Sequence, residues 1–159
     1  VRRVWLERML SVVVLAVTAP ILVGVYEKST LVHSYVSNKK TTESLPEIFE
    51  NILQRYTIDQ LIYANGPGSF MAIKVSYIFL KTLSIAQCIP LKAADAFYFN
   101  QNSPIKAIGK LFFVKTTSKI ELSSSVDQKS RALELPKKLN IDDFTDESLP
   151  YYGIDAVGR

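Results

Sequence analysis

Eight residues, Tyr63-Ala-Asn-Gly-Pro-Gly-Ser-Phe70, constrain the fold of this chain more than any other stretch. The preceding Gln60-Leu-Ile-Tyr-Ala64 is short, apolar and partly β-branched or aromatic, and reads as a buried strand ending at a glycine turn. Gly66 precedes Pro67 and is biased toward extended geometry, while Gly68 is free to take a positive φ. Ser69 then suits a helix N-cap, where its hydroxyl accepts a free amide of the first turn. The helix that follows, about residues 70 to 87, is apolar on nearly every side. Phe70, Ile73, Tyr77 and Leu80 form one stripe at helical spacing; Met71, Val75, Ile78 and Ile85 form a second. Two apolar faces predict two partners, a sheet and something else. The only charges on the helix, Lys74 and Lys81, lie seven apart and so on one side, within reach of carboxylates on a neighbouring helix.

With 159 residues the chain suits one compact domain, or one full lobe with a reduced second one. Hydrophobic residues make up 48% and charged residues 21%, which argues against wholesale disorder. The net charge of +4 comes without a lysine and arginine cluster interleaved with aromatics, so it does not point to nucleic acid. A single cysteine, Cys88, and a single histidine, His33, exclude an intrachain disulfide, a CxxC redox pair and a zinc site of the usual ligand count. Cys88 follows the apolar helix and reads as a buried, inert thiol. His33, in Leu31-Val-His-Ser-Tyr35, reads as a strand histidine with no nameable acid or nucleophile beside it. There is no GxSxG elbow and no Walker loop. Gly66, Gly68 and Ser69 at a helix start form a weak candidate anion site, although a turn with an N-cap explains the same residues.

Along the chain, Arg2, Arg3 and Arg8 precede an uncharged stretch from residue 9 to 26, as in a secretory signal. Ser11-Val-Val-Val-Leu-Ala-Val17 and Ile21-Leu-Val-Gly-Val-Tyr26, split at Pro20, fit two buried strands and a turn better. Met9 then reads as the native start, with residues 1–8 an upstream extension. A third strand is expected over residues 31 to 36. Ser44-Leu-Pro-Glu47 has capping-box spacing and opens a helix whose apolar face is Leu45, Ile48, Phe49, Ile52, Leu53 and Tyr56. Glu43, Glu47 and Glu50 lie on its other side. A short strand at 90 to 93, a short helix at 94 to 100, and strands at 105–109, 111–115 and 119–122 complete the expected elements. The resulting division is 1–8 extension, 9–103 first lobe, and 104–159 a reduced second lobe with an acidic tail. Asp142, Asp143, Asp146, Glu147 and Asp155 come with no base among them, so the tail reads first as solvated and partly ordered. A second reading docks it through Leu149, Tyr151, Tyr152 and Ile154.

Tyr63-Ala-Asn-Gly-Pro-Gly-Ser-Phe70, with Ile73-Lys74-Val75, Lys81 and Ile89-Pro90-Leu91, resembles the GPGSF-T-G-L-R signature of the TsaB (YeaZ) family, best over residues 12 to 97. The resemblance implies an α/β, actin-like (ribonuclease H-like) lobe of mixed sheet and helices. It also implies a non-catalytic subunit that binds TsaD in the synthesis of threonylcarbamoyladenosine on tRNA. TsaE, ATP and metal would then belong to the assembled complex, tRNA would be met indirectly, and the lone chain would be able to form a homodimer. The implied interface is Glu43, Glu47, Glu50, Ile73, Lys74, Tyr77, Leu80 and Lys81, with Ile73, Tyr77, Leu80 and Lys81 near its centre; an equally open reading packs Ile73, Tyr77 and Leu80 on their own sheet. This sequence departs from the family at several places. Ala16-Val-Thr-Ala-Pro20 has no carboxylate where the actin-like fold usually carries an aspartate, which argues against ATP hydrolysis with Mg²⁺. Lys40 stands where the family often has a histidine and inherits no role. Met71, Ala72, Ser76 and Thr82 replace the family's threonine and its small residues, so helices docking here would be held further apart. Two readings from other classes stand beside this one: a membrane-anchored or exported binding protein using residues 1–26, and a small nucleotide-binding phosphotransferase.

Overall fold

The computed structural model describes residues 9–117, 119–124 and 130–153. The expected extension 1–8, and Ser125, Ile154 and Asp155, lie outside the described residues.

The valine-rich runs form the centre of the molecule. Strands β1 (Leu10–Leu15), β2 (Ile21–Glu27), β3 (Thr30–Ser37), β4 (Gln60–Ala64) and β5 (Leu91–Ala94) make one sheet in the order β3-β2-β1-β4-β5. β1 runs antiparallel to β2 and parallel to β4, and β4 parallel to β5. Every residue of β1 and β4 is buried because both faces of the sheet are covered, which is why these strands read as continuous rather than alternating apolar runs. Val12, Val14, Leu61 and Tyr63 point to one core; Val13, Leu15, Val17 and Ile62 point to the other. The stretch from residue 9 to 26 is therefore a hairpin in mid-sheet. Among the described residues no helix is long and apolar enough to cross a membrane.

Helices α1 (Thr41–Arg55) and α2 (Phe70–Gln87) lie side by side over the first core. α1 starts earlier than the capping-box spacing predicts. Lys40 sits at its N-cap without a side-chain bond. Ser44 is already inside the helix, buried, with its hydroxyl donating to the Lys39 carbonyl at 3.0 Å and 2.7 Å from the Ser37 hydroxyl. The amides of Glu43 and Ser44 both donate to the Lys40 carbonyl, so the backbone itself closes the first turn and Pro46 falls a turn into the helix. At the far end of α2, Cys88 takes the left-handed C-cap conformation with φ 56°. Contrary to the sequence expectation its thiol is exposed, because it follows a last helical turn, residues 85 to 87, that is itself exposed.

The second core is covered by a 3₁₀ turn (Ala96–Phe99) and a three-stranded antiparallel sheet of β6 (Ile105–Lys106), β7 (Phe112–Lys115) and β8 (Ile120–Ser123). The C-terminal segment covers the rest. Lys138 makes a bridge with Thr30 at the start of β3, and Thr145 exchanges backbone hydrogen bonds of 2.9 Å with Ala93 in β5. The segment thus crosses the sheet from one edge strand to the other, burying Leu139 and Phe144 on the way. Tyr26 donates to the Pro136 carbonyl at 2.5 Å, and Tyr63 donates to the Ser148 carbonyl. The solvated-tail reading is corrected here: the acids Asp142, Asp143, Asp146 and Glu147 face water, while the apolar residues between them hold the segment down. Of the residues named for docking, Tyr152 packs on the second core, whereas Leu149 is 70% exposed.

Candidate functional site

The glycine turn positions α2. The Ser69 amide donates to the Val17 carbonyl at 2.8 Å, and the Ser69 hydroxyl accepts from the Ala72 amide, the N-cap bond expected from sequence. The two glycines exchange the roles assigned to them. Gly66 has the positive φ, +127°, ahead of a cis bond to Pro67. Gly68 is required by space instead: a Cβ there would stand 2.5 Å from the Val17 carbonyl oxygen. For Gly66 the corresponding position lies 1.8 Å from the Tyr151 carbonyl oxygen. The candidate anion site at Gly66, Gly68 and Ser69 therefore presents two carbonyl oxygens, and the Ser69 amide that would face an anion is already bonded.

From this anchored start, α2 turns its residues in an unusual way. Toward the sheet it places Ile73, Ser76, Leu80 and Ser84, all buried. The Ser76 hydroxyl is bonded back to the Ala72 carbonyl at 2.6 Å and the Ser84 hydroxyl to the Ile89 carbonyl at 2.5 Å, so both serines are buried with their donors used. Outward it places Met71, Ile78 and Ile85, which are 70%, 54% and 67% exposed. Two small polar residues thus share the inner face with Ile73 and Leu80, while three large apolar residues face out, where an ordinary surface helix carries polar ones.

Beside this face, α1 and α2 leave a groove of about 550 Å³, lined by Pro46 from α1 and by Val75, Ile78, Phe79, Thr82 and Leu83 from α2. Pro46 has no N–H to offer the Thr42 carbonyl one turn back, so the α1 wall of the groove lacks a helical hydrogen bond. Phe79 and Leu83, which wall this groove, also pack against the first core, Phe79 with its ring 5.4 Å from that of Phe49, and the apolar spacing of the sequence does not single them out.

The expected interface residues divide into two sets. Lys74, Lys81, Glu43, Glu47 and Glu50 are exposed on α2 and α1. Tyr77 is half-buried, its ring 6.4 Å from that of Tyr63. Ile73 and Leu80 are 0% exposed and belong to the protein's own cores, so neither lies at the centre of an outer surface. Met71, Ile78 and Ile85 take that place. The acids do not meet the α2 lysines either. Glu47 pairs with Lys39 at 3.2 Å, and no ion pair between described residues involves Lys74 or Lys81. The outer face is thus an apolar stripe flanked by two lysines that pair with no carboxylate among the described residues.

His33 lies in β3, stacked on Tyr35 at 4.4 Å with its Nδ1 3.3 Å from the Arg55 guanidinium. Among the described residues no three His, Cys, Asp or Glu side chains converge.

No protein-family model matches the sequence, nor does any curated protein. Solved structures do. One is an uncharacterised protein with similarity to peptidase YeaZ from Pseudomonas aeruginosa, with a TM-score of 0.55 at 15% identity, covering 74% of this chain and 64% of that one. Another is YeaZ from Pseudomonas aeruginosa, with a TM-score of 0.53 at 15% identity, covering 74% of this chain and 65% of that one. The fold is that of YeaZ. The five-stranded mixed sheet with α1 and α2 on one face is accordingly the actin-like lobe expected from the GPGSF turn. This chain spans less than two thirds of the length of the two YeaZ-type structures.

Proposed function

We propose that this chain is a TsaB-type (YeaZ-type) subunit without catalytic residues of its own. It docks on a TsaD-type partner through the outer face of α1 and α2 and so supports threonylcarbamoyladenosine formation on tRNA. The observation that carries this reading is the inversion of α2, which exposes Met71, Ile78 and Ile85 while burying Ser76 and Ser84. Such a face is costly in water and becomes favourable once a partner covers it. Lys74 and Lys81 beside it select a partner surface carrying carboxylates. ATP, metal and TsaE belong to the assembled complex, tRNA is reached through the partner, and the site of action is the cytoplasm. Without the partner, the same face pairs two copies of the chain.

A non-catalytic role also fits the lone histidine. One solved neighbour is described by similarity to a peptidase, and a Ser-His-acid arrangement on this chain would have to use His33, whose ring faces an arginine instead of a serine or carboxylate. The test is co-purification of the tagged chain with TsaD from the source cell, with wild type beside the double variant Lys74→Glu, Lys81→Glu. Wild type brings TsaD down and the double variant brings down at least about tenfold less, the loss expected when like charges meet at an interface. Absence of TsaD from the wild-type complex overturns the reading.

A further inference from the structure

The segment from residue 145 to 153 is held differently from the rest of the second core. Its contacts to the glycine turn use its own backbone. The Ser148 carbonyl accepts from the Tyr63 hydroxyl, the Leu149 carbonyl accepts from Asn65 Nδ2 at 3.0 Å, and the Tyr151 amide donates to the Asn65 carbonyl at 2.7 Å. Glycines on both sides permit the close approach. Gly66 lets the Tyr151 carbonyl lie against the turn, and Gly153, at φ +77°, would place a Cβ 2.6 Å from Phe113 Cε1. Side chains contribute less. Tyr152 meets Phe70 edge to face at 5.6 Å, but Leu149 and Tyr151 point outward, 70% and 39% exposed.

We propose that the end of β4, the glycine turn and Phe113 of β7 form a groove for an extended peptide, and that residues 145–153 occupy it as a releasable resident ligand. The segment is held through its own main chain, two carbonyls in succession and one amide, and main-chain recognition of an extended peptide needs few side chains from the ligand. The same feature makes the segment releasable. Beyond Phe144 its apolar burial is that of Tyr152 and part of Tyr151, and its one backbone contact with a strand is the isolated Thr145 bridge to the edge strand β5, so it opens without the five-stranded sheet opening. On release, Tyr63 and Asn65 present two donors and the Asn65 carbonyl an acceptor to another extended chain. This groove lies at the glycine turn, away from the outer face of α2, and does not depend on what that face binds.

The test uses the full chain. Native-state hydrogen exchange is expected to show the Tyr151 amide exchanging at least about 100-fold faster than those of Val12 and Ile62, the pattern of a local opening. A labelled synthetic peptide with the sequence of residues 145–153 is then titrated onto wild type and onto Gly153→Ala, whose added methyl loosens the resident segment at its end. The peptide binds the variant at least about tenfold more tightly, because a competing occupant lowers apparent affinity by the fraction of time that it holds the site. A Tyr151 amide as slow as those of Val12 and Ile62 overturns the proposal, and so does a peptide that binds neither form. Should Gly153→Ala fail to fold, the exchange rates and the peptide titration of the wild-type chain decide alone, with measurable wild-type binding expected.

Discussion

A Cβ on Gly68 would stand 2.5 Å from the carbonyl oxygen of Val17, the same oxygen that accepts the Ser69 amide hydrogen at 2.8 Å. The turn after β4 is thereby pressed onto the end of the β1 run, and the start of α2 is fixed by backbone on both sides. Gly68→Ala sets a methyl group against a main-chain atom that cannot swing aside. It is expected to destabilise the fold by about 1–3 kcal/mol, as overpacking of a close-packed site does. The measurement is the urea midpoint at unchanged slope, and a midpoint equal to that of wild type would contradict the contact.

Tyr26 and Tyr63 predict a loss of stability at alkaline pH. Each hydroxyl donates to a carbonyl of the C-terminal segment, and burial pushes both above the ordinary tyrosine value of 10.0. Tyr98 is pushed up to about 12, by burial first and then by its hydrogen bond to Asp143. Below the unfolded value all three are protonated in both states, and the stabilisation they contribute is fully present. Above it the unfolded chain sheds protons that the folded chain retains, so stability falls as pH rises from about 10 to 12 and beyond. Thermal midpoints across this range, followed with tyrosinate absorbance, are expected to fall together with ionisation. In Tyr26→Phe the Pro136 carbonyl loses its donor, which costs about 1–2 kcal/mol near neutral pH and makes the alkaline fall shallower.

Much of this fold can be read from the chain because local chemistry and global position agree there. The valine runs around Pro20 contain no charge and are split by a proline, which suits a mid-sheet hairpin better than a signal helix, and both faces of it are buried. The glycine turn is equally plain, yet the division of labour between Gly66 and Gly68 is not. It depends on Val17 and Tyr151, which are distant in sequence and close in space. α2 is the instructive case. Its apolar residues encircle the helix, so helical spacing marks two stripes without saying which one enters the core. Ile73 and Leu80 went in from one stripe together with Ser76 and Ser84, while Met71, Ile78 and Ile85 of the other stayed out. The C-terminal segment was illegible for another reason. Leu133, Leu139 and Phe144 follow neither a strand nor a helix period, and their acidic neighbours dominate the composition.

That segment supplies a contrast between its two residue types. Phe144 is 8% exposed and lies among Tyr98 and Phe99, with ring centroids 5.2 and 6.3 Å away. Phe144→Ala is expected to cost about 3–5 kcal/mol, the range for removing a buried aromatic ring. Asp146→Asn, on the exposed side of the same segment, is expected to change stability by less than about 0.5 kcal/mol. Chemical denaturation of both variants checks the pair, and a Phe144→Ala midpoint like that of Asp146→Asn would return the segment to the solvent.

Ile73 and Ile78 separate the core from the proposed docking face most sharply, since they are the same residue type on one helix, five positions apart. Ile73 is 0% exposed and packs beneath the glycine turn; Ile78 is 54% exposed and lines the groove with Pro46 and Phe79. Ile73→Ala is expected to destabilise by about 2–5 kcal/mol through lost transfer energy and the cavity left behind. Ile78→Ala is expected to leave stability within about 0.5 kcal/mol of wild type, because water already reaches most of the side chain. Partner binding moves the opposite way. An apolar anchor at the centre of an interface is worth about 2 kcal/mol on truncation, so on the proposed docking mode Ile78→Ala is expected to weaken the complex roughly thirtyfold. Paired measurements of denaturation and of affinity for the TsaD-type partner on each variant are decisive. An Ile78→Ala chain that unfolds early, or one that binds as wild type does, would remove the outer face of α2 from the mechanism.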